Sequence, residues 1–275
     1  MMDALAQSFY WLQYVVLVAV GAALVGVERL WPRRAGQPET RARWVVNVGL
    51  YALGLLLLAV VVEPLQTAAI RIGSLPGWGG LGAAPLPDAL KVALGVSLVD
   101  ALQYGLHRLC HAVPLLWQLH QVHHSDEAFD VSTSVRHHPL EVLALTGLNL
   151  MLCAALGVPL LSLLIYALLL APHSLFCHSN VAVPAGVDRA LRWFSVTPDM
   201  HRVHHSVRMD EGHRNFGMVF PWWDQLFRTY CAQPQDGSER MRLGLAQEQT
   251  LAAGDVPRRS GLWASLWQPF TRQPR

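Results

Sequence analysis

Two stretches of nineteen residues, Phe9 to Val27 and Trp44 to Val62, contain no charged side chain. A chain that carries them has few folds open to it. At about 1.5 Å per residue each makes roughly 28 Å of helix, enough to cross a hydrocarbon core. Both are expected as transmembrane helices. The composition agrees, because 52% hydrophobic and 15% charged residues leave an excess of apolar side chains that a water-soluble domain of 275 residues would not carry. The first stretch does not read as a cleaved signal peptide: Asp3 is the only charge before it, and the apolar run exceeds a secretory core.

A net charge of +2 without a basic run or aromatic platform excludes nucleic acid as a partner. Cys110, Cys153, Cys177 and Cys231 stand singly, without C-x-x-C spacing, and read as small core residues in a reducing compartment. No repeat at a solenoid-like period is visible.

Arg33, Arg34, Arg41 and Arg43 lie between the first two spans, whereas residues 1–8 hold no lysine or arginine. By the positive-inside rule the loop is cytoplasmic and the N-terminus outside. Residues 71–87, with five glycines and three prolines but one basic residue, read as a non-cytoplasmic loop without regular structure. Ala89 to Leu106 is a third, less lipid-like helix because it contains Lys91 and Asp100. Val142 to Pro172 is uncharged and, at about 45 Å if fully helical, too long for one upright span. Gly157-Val158-Pro159 breaks it into two short helices, a hairpin that enters and leaves on one face.

The fold class expected is therefore all-α, an integral membrane helical bundle with a cytoplasmic helical cap. Its parts are an N-terminal transmembrane hairpin and outer loop (1–87), a catalytic unit (88–235) and a C-terminal tail (236–275). The last forty-odd residues read as the least ordered. In them Trp263, Trp267 and Phe270 recur at i, i+4 and i+7, a stripe suited to the membrane surface or to ordinary packing.

All thirteen histidines fall between His107 and His213. His107 and His111 stand in HRLCH, His120, His123 and His124 in HQVHH, His137 and His138 in RHHPLE, His173 and His178 in HSLFCHSN, and His201, His204 and His205 in HRVHH. Residues at i, i+3 and i+4 share a helical face, so each H-x-x-H-H group aims its imidazoles to one side. Thr197-Pro198-Asp199 supplies a helix start for the second triple, with threonine as N-cap and proline at the first helical position. Imidazole suits iron, copper, nickel and zinc alike, but so many clustered histidines match two ions better than one, and H-E-x-x-H is absent. His137, His173 and His213 are expected outside the ligand set. Asp100, seven residues before His107, is placed to accept a ring N–H from a ligand histidine, or else to pair with Arg108 or Arg136.

Together these residues resemble the fatty acid hydroxylase and sterol desaturase superfamily, whose pattern runs H-x-x-x-H, H-x-x-H-H, H-x-x-H-H. The likeness extends to Asp100 and Tyr104, Leu116-Trp117, Arg136 with His138-Pro139-Leu140-Glu141, His178-Ser179-Asn180, Thr197-Pro198, Asn215-Phe216-Gly217 and Trp223-Asp224, and covers about residues 95–230. One departure is Arg228, where the family usually has glycine in a turn. The resemblance implies a di-iron centre on the cytoplasmic side, using dioxygen and two external electrons to hydroxylate or desaturate C–H bonds of a lipid. It carries the ligand role to His107, His111, His120, His123, His124, His138, His178, His201, His204 and His205. Asp100, Asn180 and Asp224 are the further candidates for catalytic or supporting roles.

No flavin, haem or ferredoxin motif is present, so the electrons come from another protein: a b-type cytochrome, a ferredoxin or a reductase. Zinc is expected to replace iron on overproduction, because imidazole accepts both. The membrane is a bacterial-type inner membrane or an endomembrane, with the metal site and C-terminus cytoplasmic. The sequence leaves open which lipid is the substrate. Rival readings are a membrane hydrolase using its ions as Lewis acids on water, and a non-enzymatic metal carrier, whose histidines would line a path across the bilayer.

Overall fold

The structure, a computed structural model, describes residues 2–36, 40–73, 79–246 and 261–271. Both charge-free stretches are helical throughout, as α1 (Met2–Leu30) and α2 (Thr40–Gly73). Helix α2 continues to Gly73, so Arg71-Ile72-Gly73, expected in the outer loop, close a helix instead. Helix α3 (Asp88–Ala112) turns at Val113 into α4 (Pro114–His124), where proline occupies the first turn, the one place in a helix that needs no N–H. The uncharged stretch divides as expected into α5 (Pro139–Ala155) and α6 (Leu160–Cys177). Four helical segments, Trp11–Leu30, Arg41–Val61, Asp88–Ala112 and Leu160–Cys177, are long and apolar enough to cross a membrane, and α5 is a shorter apolar helix.

The arms of this broken stretch pack mainly on other helices, α5 along α2, and α6 along α1 and α3. At the α5–α6 break Gly157 has φ 62°, and the outer loop closes over it through Leu81 N–H to Leu156 O (3.0 Å) and Gly82 N–H to Gly157 O (2.8 Å). Gly80 lies so close that a Cβ there would sit 2.0 Å from Leu156 O, which only glycine permits. Gly95 of α3 likewise lets α6 approach, its missing Cβ being replaced by the Ser162 side chain.

The other end of the bundle carries the cap: α7 (Ala185–Leu191), α8 (Pro198–His204), α9 (Met209–Gly212), α10 (Trp222–Leu226), α11 (Gly237–Arg240) and α12 (Leu262–Trp267), with 3-10 turns at Val131–Val135 and Gln268–Phe270. Among the described residues no strand forms, only isolated bridges between Pro32 and Val181 and between Ser206 and Leu243. The α1–α2 loop belongs to this end, since Arg33 pairs with Asp199 (3.1 Å), and Arg43, at the start of α2, pairs with Asp126 (2.7 Å) and Asp130 (2.9 Å).

Of the tail, residues 236–246 and 261–271 are described, and these pack on the rest of the chain. Met241 and Leu243 bury against Phe129, and α12 packs on α2 with Leu262 over Gly49. Residues 247–260 and 272–275 lie outside the described residues. The four cysteines are free; Cys110, Cys153 and Cys177 are buried, as small core residues should be.

Candidate metal centre

Nine histidines meet where α3, α4, α6 and α8 converge, and their ligand atoms fall into two sets, each within 4.8 Å of one another. One set is His107, His111, His120, His124 and His204; the other is His123, His178, His201 and His205. Each triple divides between the sets. In α4, His120 and His124 serve the first and His123 the second; in α8, His201 and His205 serve the second and His204 the first. At about 100° per residue, i and i+4 differ by roughly 40° while i+3 and i+4 differ by about 100°, so one helix can address two neighbouring positions. The sets adjoin, with the rings of His124 and His205 stacked at 4.6 Å. Thr197 caps α8 as expected, its hydroxyl accepting from Met200 N–H.

The hydrogen bonds fix which nitrogen carries the proton. A carbonyl can only accept, so Nδ1 donates in His107 to Phe216 O (2.9 Å), in His123 to Arg136 O (3.3 Å), in His178 to Ser174 O (2.8 Å) and in His204 to Arg214 O (2.7 Å). His120 Nδ1 donates to the carboxylate of Glu141 (2.7 Å). In these rings Nε2 is left with a lone pair. Yet Nε2 of His178 lies 3.2 Å from Nε2 of His123. Two lone pairs at that distance repel unless a proton or a cation lies between them. Burial, reinforced by neighbouring imidazoles, holds His123, His124, His201, His204 and His205 well below the ordinary histidine range, and burial pushes His178 down to about 3, so protonation is costly. A metal ion satisfies the geometry instead: nitrogens bound at about 2.0–2.1 Å to one ion lie about 2.9–3.4 Å apart. Buried ring nitrogens with no protein partner on His111, His204 and His205 have the same explanation. The residues therefore fit metal, through a donor set made only of neutral nitrogen.

The supporting groups differ in part from expectation. His138 lies in neither set; its Nδ1 caps α5 by accepting from Leu140 N–H, and its Nε2 faces Leu266 O (3.2 Å). A proline at the first turn of α5 makes the preceding residue its N-cap, which turns this ring away from the cage. His137, expected outside, stacks on His123 at 4.3 Å and reaches Glu141. Glu141 is the carboxylate that the sequence reading gave no role, although Glu at i+4 from His137 and at the start of a helix was a usable signal. Asp100 does not touch a histidine, nor does it pair with Arg108 or Arg136; it accepts from Tyr166 Oη (2.7 Å), Trp223 Nε1 (2.8 Å) and the amides of Val219 and Phe220. Asp224 is buried, which raises its carboxyl, and it holds the amides of Phe216 and Gly217 (2.8 Å each).

Between those anchors Asn215 sits at φ 53°, its amide bonded to Met200 O and Cys231 O and its Oδ1 accepting from Cys231 N–H. The left-handed turn at Asn215 sets the carbonyls of Arg214 and Phe216 on two cage histidines, His204 and His107, from different helices. Asn180 is engaged elsewhere, bonding the backbone of Arg34 through both ends of its side-chain amide. His173 bonds Ser195 (2.8 Å). His213 lies on a small cleft lined also by His111, Trp117, His124, Val207 and Leu245.

Fold and site define an all-helical membrane protein with a buried cage of histidines able to hold metal. The chain belongs to the fatty acid hydroxylase family, whose model matches residues 92–229. It is 28% identical over 267 residues to an ornithine lipid hydroxylase, OlsE, of Rhizobium tropici, covering 96% of this chain and 76% of that one. It is 30% identical over 135 residues to the alkylglycerol monooxygenase of Homo sapiens, covering 49% of this chain and 29% of that one. A fatty acid hydroxylase, vlmA, of a Lecanicillium species is 24% identical over 206 residues, covering 70% of this chain and 54% of that one. No solved structure matches the chain.

Proposed function

We propose that this protein is a di-iron hydroxylase of a membrane lipid, inserting one atom of dioxygen into a C–H bond at the expense of two electrons from an external donor. The observation that carries the reading is the pair of adjoining all-imidazole sets, one of five and one of four histidines. Iron in such sites supplies the redox chemistry that no side chain offers: it activates dioxygen so that an unactivated C–H bond is broken. The balance is C–H, O2, two electrons and two protons giving C–OH and water.

The chain's own residues prepare the site. Carbonyls of Phe216, Arg214, Arg136 and Ser174 fix four ring orientations, and Glu141 fixes a fifth, as outer partners of metal ligands do. All nine histidines are at most 9% exposed, so bulk water is kept off; a small cleft adjoins the first set at His111 and His124. The relatives act, by name, on ornithine lipid, alkylglycerol and fatty acid, so polar lipids with long alkyl chains are the substrates to test first. The decisive experiment supplies purified protein with iron, a reductant, a lipid extract and oxygen-18 gas, and examines the lipids by mass spectrometry. A lipid that gains one labelled oxygen supports the reading; products that form without oxygen, or take their oxygen from water, would establish the hydrolase instead.

A further inference from the structure

Asp100 stands near the middle of α3, and it binds the amides of Val219 and Phe220, the indole of Trp223 and the hydroxyl of Tyr166 on α6. The cap segment 219–223 is thereby fastened partway along two helices that are candidate spans. Beyond it toward the outer loop, α3 has only Asp88 to Asp100 left, about 18 Å, and α6 only Leu160 to Tyr166, about 9 Å. A hydrocarbon core of about 30 Å does not fit in that length. The bilayer around these helices must therefore rise past the segment 219–223.

The side chains at that level suit such a position. Trp193, Phe194, Trp222, Leu226 and Phe227 are 65%, 69%, 41%, 66% and 50% exposed. They belong to one surface: Trp222 Nε1 donates to Trp193 O (2.8 Å), and Phe227 stacks at 5.4 Å on Tyr104, one turn along α3 from Asp100. Leu90 and Leu94 of α3 and Leu160, Leu161 and Leu169 of α6 are exposed as well, as side chains of a lipid-facing span should be. Arg189 and Arg228, also exposed, have stems long enough to lie on apolar surface while their guanidinium groups reach headgroups. Five large apolar side chains in water would be a costly patch; tryptophan in particular favours the membrane interface.

We propose that this aromatic shelf is a membrane-inserted surface of the cap, lodged among the acyl chains and glycerol groups of the leaflet on the metal side. The cap does not stand on the bundle in water. His107 lies seven residues beyond Asp100, about 10 Å along α3, which holds the cage near the upper edge of that leaflet. If the protein is the lipid hydroxylase proposed above, a lipid reaches the cage without leaving its own leaflet.

The test uses the full chain in nanodiscs of phosphatidylcholine, with and without bromine at mid-chain, and compares wild type with W193F/W222F. The emission that disappears in the variant belongs to these two indoles, and phenylalanine keeps the surface apolar. More than half of that difference emission should be quenched by the brominated lipid, and iodide in the water should quench it less. Quenching by iodide equal to or above that by the lipid would overturn the proposal. Should the double variant not fold, W193F alone serves, because Trp193 holds Trp222 through its backbone carbonyl. Neither readout depends on metal or turnover, so the shelf and the hydroxylase reading can fail separately.

Discussion

A neutral imidazole has one N–H and one lone pair, and a cage must spend the first so as to aim the second. The structure shows where five of the N–H groups go, and Asn215 governs two of them through the carbonyls on either side of it. Replacing Asn215 by alanine removes three side-chain hydrogen bonds and strains a left-handed backbone, so metal affinity should fall about 10–100-fold, the usual cost of losing an outer partner. Glycine at 215 keeps the turn and should lose less; metal content after dialysis against a chelator checks the order. Alanine at His178 or His204 should empty part of the cage, whereas alanine at His138 should leave the metal count unchanged and cost stability of about 1 kcal/mol as a lost N-cap. Equal metal loss in all three variants would return His138 to the ligand set. The histidine spacing made eight of the nine cage members legible before any family likeness was invoked, because helical periodicity acts within one segment. His178 lies outside those spacings and was legible only from its place in the histidine cluster, and the choice between His137 and His138 depends on which way a proline-started helix turns its cap.

At the scale of elements, α3 and α6 cross closely and both deliver cage histidines, so their spacing bears directly on the cage. A Cβ on Gly95 would lie 2.3 Å from Ser162 Oγ and 2.7 Å from its Cβ. Gly95→Ala should therefore destabilise the protein by about 1–3 kcal/mol, as overpacking does, and lower metal content, because His107 and His178 sit toward the far ends of these helices. Adding Ser162→Gly removes the obstructing atoms and should restore part of both. Thermal unfolding in detergent with metal analysis would show it; no rescue in the double variant would mean the crossing is not the cause. The turn after α10 offers the opposite case. Arg228 sits at φ 58° where the family usually has glycine; its backbone carbonyl accepts from Arg214 (3.0 Å) and its N–H donates to Gln225 O (3.4 Å). Arg228→Gly should raise stability by about 0.5–1 kcal/mol by removing a crowded Cβ, with the gain limited by the greater freedom of glycine in the unfolded chain. The helices themselves were readable from charge-free length and from Gly157-Val158-Pro159. Asp100's partners were not, since the segment 219–223, more than a hundred residues away, supplies three of the four.

For the whole molecule, the open matter is which compartment the cage faces, and the structure changes what the arginines say about it. The loop between α1 and α2 was placed in the cytoplasm by its basic residues, but Arg33 and Arg43 are held by cap carboxylates and Arg34 donates to Met241 O. These side chains have a structural reason to be there, so part of the charge bias reflects the fold. Geometry nevertheless ties the compartments together. The α1–α2 loop, the start of α5, the end of α6 and the segment carrying α12 all meet the cap, and Leu262 rests on Gly49 near the same end of α2. The outer loop at 79–86 covers the α5–α6 turn at the opposite end. Topology is thus reduced to a single choice: reporters at Gly36 and after Arg275 must agree with each other and differ from one inserted at Ala84. Among the described residues Arg29 and Arg41 have no such bond, and residues 1–8 hold no lysine or arginine, so the positive-inside rule still predicts a cytoplasmic cage. A fusion active only in the cytoplasm should report at Gly36 and Arg275 and be silent at Ala84. Opposite signals at Gly36 and Arg275 would break the arrangement of the helices, whereas agreement between them with the reverse sign would keep the fold and move the cage, its electron donor and its leaflet to the other side of the membrane.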